Sequence, residues 1–145
     1  MGEGRQRQRR QIRVIRPIIL ALGIAVAAPA LAQDEPEAVY AKFHRAGLGA
    51  DYDGMRKYES SAKAKEMDPI PPAERKQMLR ALARLLPRSY SVVEKTVEAG
   101  ALRAVLRLRA TQPDAAGKAQ PLLATITLVK EKGEWKVDDA NWGER

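Results

Sequence analysis

Residues 101–111, ALRAVLRLRAT, alternate along their length: Leu102, Ala104, Leu106, Leu108 and Ala110 fall on one side, Arg103, Val105, Arg107 and Arg109 on the other. A period of two is that of a β-strand with one face in a core and one in water. Outward from it the same signal recurs. Tyr90–Glu98 is an earlier strand closed by the turn Ala99-Gly100. The loop QPDAAGKAQP leads to LLATITLVKEK, apolar or threonine on both faces, and Lys132-Gly133-Glu134 turns the chain into WKVDDANW. Sequential strands joined by turns predict an antiparallel sheet of about four strands.

Before Tyr90 the period is helical. In AERKQMLRALARLLPR the residues Met78, Leu79, Leu82, Leu85 and Leu86 recur on one face, with Pro72 suited to the first turn and Pro87 ending the helix. Val39, Tyr40, Phe43 and Ala46 mark an earlier helix, with Asp34 as its expected cap, Pro36 near its start and Gly47 and Gly49 at its end. Between them a stretch from about Asp51 carries a face of Tyr52, Met55, Tyr58 and Ala62, and the stiff connection Asp68-Pro69-Ile70-Pro71-Pro72 follows. Three helices followed by four strands predict an α+β domain with the helices packed on the sheet.

The first 32 residues are of another kind. Six arginines, Arg5 to Arg16, precede PIILALGIAVAAPA, an uncharged stretch that ends in Ala30-Leu31-Ala32. A basic region, an apolar region and a small-x-small site form the order of a secretory signal peptide, with cleavage expected between Ala32 and Gln33 and delivery to the periplasm or beyond. The alternative is retention as a membrane anchor, although the apolar run falls short of the roughly 20 residues that span a bilayer and holds Gly23 and Pro29. Arg9-Arg10 is a weak twin-arginine signal, since Gln11, Ile12 and Arg13 follow it. The expected division is therefore 1–32 signal peptide and 33–145 a single domain, touching membranes only through the leader.

Charge follows the same boundary. Of the net charge of +8, the leader takes six arginines and one acid, which leaves 20 basic and 17 acidic residues and a net of +3. Without a clustered basic surface interleaved with stacking aromatics, no nucleic-acid partner is expected. Cysteine is absent, which excludes disulfides, thiolate chemistry, cysteine zinc sites and a lipid-bearing cysteine. There is no Gly-x-Ser-x-Gly elbow and no glycine-rich phosphate loop. Neither a cofactor nor a metal is expected: Asp138 and Asp139 are adjacent on a strand, and Asp51-Tyr52-Asp53-Gly54 lacks the further ligands of a calcium loop and reads as a helix start.

The remaining candidates are few. His44 is the only histidine; a general base needs an orienting acid within reach, and a surface or rim position beside Phe43 is the plainer expectation. Arg103, Arg107 and Arg109 form a line of guanidiniums on the outer sheet face. They could receive an anionic lipid, a carboxylate ligand or an acidic partner, or pair across strands with Glu94 and Glu98. Trp135 and Trp142, seven apart, would face opposite ways on an unbroken strand, and Trp142 could lie at a pocket rim.

The early aromatic helix Val39-Tyr40-Ala41-Lys42-Phe43, the stretch DYDGMRKYESSAKAKEM and the final hairpin LVKEKGEWKVDDANW together resemble the nuclear transport factor 2-like superfamily, over roughly Glu35 to Trp142. A Lys-Glu-x-Gly-x-Trp-Lys-Val ending is frequent in its exported members of unknown function. The resemblance implies a cone-like domain, a bent antiparallel sheet wrapped around helices, with Leu102, Leu106, Leu108, Leu122, Ile126 and Leu128 facing them. Catalytic members often use an aspartate–histidine pair inside the cone, a role that would fall to His44 with Asp51 or Asp53. Where such domains often have a small hairpin between the second and third helices, this chain has only AKEMDPIPP.

These signals describe an exported, non-catalytic binding or interaction module that holds a small apolar or amphiphilic ligand, with a homodimer through the sheet as a further expectation. The alternatives are a small isomerase- or dehydratase-type enzyme using His44 with an aspartate, and a membrane-anchored subunit of an envelope assembly.

Overall fold

The structure, a computed structural model, describes residues 33–144; the expectations for residues 1–32 lie outside them. Four helices come first, α1 (Pro36–Leu48), α2 (Tyr52–Arg56), α3 (Ser61–Met67) and α4 (Pro72–Leu85). Four strands follow, β1 (Ser91–Val97), β2 (Arg103–Pro113), β3 (Ala119–Glu131) and β4 (Glu134–Glu144). The strands form one antiparallel sheet in the order β1-β2-β3-β4, as the alternating pattern requires. The α+β expectation holds.

The core lies between the inner sheet face and the helices. Leu106, Leu108, Ile126, Leu128 and Val137 are fully buried, and Val39, Tyr40, Phe43, Met55 and Leu79 meet them from the helices. Leu102, expected on this face, is instead 66% exposed, because it precedes β2 in the turn after Gly100.

The expected second helix is two helices. Tyr58-Glu59-Ser60 leaves the helical path to run parallel to β4: Ser60 N donates to Val137 O (2.9 Å), and Val137 N donates to Tyr58 O (2.7 Å). A strand edge with unpaired backbone groups outcompetes local helical propensity here. The Ser60 hydroxyl then caps α3 by accepting from Lys63 N (3.1 Å) and donates to Asp138 Oδ1 (2.6 Å). Past the break the helical face shifts, so Ala64 is buried and Ala62 exposed. At the start of α1 the cap is Glu35 rather than Asp34, without a side-chain bond, because Pro36 occupies the first position and the Asp34 carboxylate pairs with Lys42.

β4 also departs from an unbroken strand. Its register with β3 shifts between Val137 and Asp139, so Asp138 is an extra residue, and shifts again at Gly143. A β-bulge reverses the parity of the strand beyond it and bends the sheet. Trp135 opposes Lys130, Val137 opposes Leu128, Ala140 opposes Ile126 and Trp142 opposes Ala124. Both tryptophans therefore lie on the inner face, contrary to the expectation of opposite faces. No helix among the described residues is long and apolar enough to cross a membrane.

Candidate functional site

The face of α4 is the clue to where the core stops. Of its predicted apolar residues only Leu79 is buried; Met78, Leu82 and Leu85 are 44%, 36% and 70% exposed. They stand at the mouth of a cavity of about 390 Å³, within the size range of small-molecule sites, roughly 300–1,000 Å³. Phe43 and Gly47 of α1, Met55 of α2 and Met67 of α3 line its helical side, and Ala140 and Trp142 of β4 its sheet side. Gly47 belongs in this wall because a Cβ there would meet Leu86 Cδ1 at 3.0 Å. Methionine and leucine supply deformable apolar surface suited to guests of irregular shape.

One wall is an ordered polar chain. Trp142 Nε1 donates to Tyr40 Oη (2.8 Å), and Tyr40 Oη lies 3.3 Å from His44 Nδ1. His44 Nε2 lies 2.8 Å from the carbonyl oxygen of Pro87. A carbonyl can only accept, so Nε2 carries the proton and Nδ1 accepts from Tyr40. Each member is thus satisfied, and α1, the α4–β1 connection and the end of β4 are tied together. Tyr90 closes the cluster, its ring 4.9 Å from that of His44 and 5.5 Å from that of Tyr40. Burial drives the His44 imidazole below its ordinary range, against the pull of the Pro87 carbonyl, and raises the Tyr40 and Tyr90 phenols.

The opposite polar feature is Glu59. It is only 5% exposed and lines the cavity, and its Oε2 is the one buried side-chain nitrogen or oxygen among the described residues without a hydrogen-bond partner. Burial pushes its carboxyl above the usual carboxylate range, with Lys63 and Arg56 opposing from a distance. The helical break that places Glu59 is a product of pairing with β4, which is why periodicity gave no sign of it.

The sequence candidates are dispersed. His44 is buried rather than at the surface, and neither ring nitrogen bonds a carboxylate. The Asp51 carboxylate caps α2 by accepting from Gly54 N (3.0 Å), and Asp53 is exposed. Gly54 allows this close cap, since a Cβ there would sit 2.2 Å from Asp51 Oδ2. On the outer sheet face Arg103 pairs with Glu98 (3.0 Å) and Arg107 approaches Glu94 (3.9 Å), all at least half exposed, while Arg109 stands opposite Ser91 and Leu123. Trp142 alone of the four binding candidates reaches the cavity. The short α3–α4 connection is held by Asp68, which accepts from Tyr52 Oη (2.9 Å) and from Arg56 Nε (3.2 Å) and Nη2 (2.9 Å).

The sequence matches no protein-family profile and no curated protein. Solved structures do share its fold. A protein of Thiobacillus denitrificans described as a candidate calcium/calmodulin-dependent protein kinase type II association domain superposes with a TM-score of 0.54 at 14% identity, over 79% of this chain and 98% of the other. A SEC-C motif containing protein from Rhodopseudomonas palustris gives 0.54 at 15% identity, over 76% and 79%. A candidate dehydratase from the NTF2-like family of Streptomyces avermitilis gives 0.44 at 14% identity, over 74% and 91%. Four helices against a four-stranded antiparallel sheet make this an α+β fold, shared with the two structures that superpose at 0.54. At such identities the likeness concerns fold alone.

Proposed function

We propose that the domain is an exported, non-catalytic binding module whose cavity holds a small apolar or amphiphilic ligand. The observation that supports this most is the cavity of about 390 Å³ between α4 and the end of β4, apolar on most sides and open beside Met78 and Leu82. Exposed apolar side chains clustered at one mouth are costly to leave in water and mark a surface that is covered in use.

The catalytic alternative has less support. A His44–aspartate pair needs the two within hydrogen-bond reach, and both ring nitrogens of His44 are engaged by Tyr40 and Pro87. A homodimer through the sheet edge is also weakly supported. β1 is exposed at every residue, but the register shift between Val92 and Glu94, with Glu94 and Lys95 beside it, blunts the edge against pairing with a second copy.

Native mass spectrometry of the protein recovered from cells expressing the full chain tests this reading. It predicts a monomer beginning at Gln33, part of it carrying one small organic adduct that is lost on denaturation. An intact leader that keeps the chain with membranes would support the anchored alternative, and failure to bind any apolar probe would contradict the binding role.

A further inference from the structure

Glu59 sets a chemical requirement on what the cavity can hold. Its backbone is fixed on both sides, by the hydrogen bonds of Tyr58 and Ser60 to Val137 and by the Ser60 hydroxyl on Asp138. The segment is therefore held against β4, and the carboxyl is kept out of bulk water, with Oε2 buried and unpartnered. An unpartnered buried acceptor costs roughly 1–3 kcal/mol, and a group that donates to it relieves that cost. We propose that the guest is an amphiphile whose apolar body lies against the Met55, Leu79 and Leu82 side and whose polar end is a hydrogen-bond donor, a hydroxyl or an ammonium, received by Glu59 Oε2. This rests on the reading of the cavity as a ligand site.

The charges around the cavity point the same way. Lys63 also lines it but is only half-buried, so a guest anion would meet its ammonium partly in solvent, where an ion pair contributes little. A guest carboxylate would place a second acceptor and a second negative charge in an apolar enclosure that already holds one, a juxtaposition that disfavours ionisation of both. Burial raises the Glu59 carboxyl against the opposing pull of Lys63 and Arg56. His44 and Tyr40, the other titratable groups of the wall, are already engaged by Pro87, by Trp142 and by each other.

The test uses displacement of prodan, a neutral naphthalene dye without a hydrogen-bond donor, from the protein obtained by expressing the full chain. Decylamine, 1-decanol and decanoate compete below their micelle concentrations. Decylamine and decanol are expected to displace the dye at about tenfold lower concentration than decanoate, the factor that one hydrogen bond of about 1.4 kcal/mol supplies. In Glu59→Leu the ratio of decanoate to decylamine falls about tenfold by the same reckoning, and in Glu59→Gln, whose amide both accepts and donates, it falls part of the way. Bound dye in each variant shows that its cavity is intact. Decanoate competing as well as decylamine in the unsubstituted protein, or a ratio unchanged in both variants, overturns the assignment of the head group. Absence of prodan binding to the unsubstituted protein overturns the cavity reading itself, and this inference with it.

Discussion

A single proton governs the aromatic wall. His44 accepts from Tyr40 and donates to Pro87 only as the neutral imidazole, and burial favours that form. In the unfolded chain the ring takes a proton near 6.5, so below that pH the unfolded state binds more protons than the folded one. The resulting stability is complete above about 6.5 and is lost as pH falls from there toward the depressed folded value. Urea midpoints measured between pH 7.5 and 5 should therefore fall on the acid side, with a shallower fall in His44→Gln. Since His44 is the only histidine, an identical slope in the two proteins would remove it as the source.

At the level of elements, α4 is divided between scaffold and site. Leu79 is 4% exposed within the core, whereas Leu82, one turn on, is 36% exposed at the cavity mouth. Leu79→Ala should cost about 2–4 kcal/mol of folding free energy and Leu82→Ala less than about 1, read from denaturant midpoints; comparable losses would mean that α4 is packed alike along both positions. The sequence announced α4, α1 and the sheet clearly, because their periods of 3.6 and two persist over many residues. It did not announce the two features that build the site. The Tyr58–Ser60 break depends on a partner strand about 78 residues later, and the Asp138 bulge leaves no mark on the alternation until the register with β3 is known. For that reason Trp142 was legible only as a candidate, and Glu59 was not legible at all: a carboxylate in a predicted helix looks like any solvated acid until the pairing with β4 draws it inward. The arginines of β2, conspicuous in the sequence, lie on the outer face in water, where exposed ion pairs contribute little.

Over the whole molecule, a bent sheet and four helices enclose more space than their side chains fill, and the excess gathers where β4 ends and α4 turns its leucines outward. The central claim is that this space, rather than the charged outer face, receives an alkyl chain. Trp142 lines the cavity while Trp135 sits elsewhere on the same strand, over Lys130 (5.1 Å), so the two indoles are built-in reporters of where a guest lies. Trp135→Phe and Trp142→Phe each leave one of them. Titration with 10-bromo-1-decanol, whose bromine quenches an indole on contact, should quench the remaining Trp142 strongly, saturating at one molecule per chain, and leave the remaining Trp135 nearly unchanged; equal quenching of the two, or none at saturating probe, would contradict it.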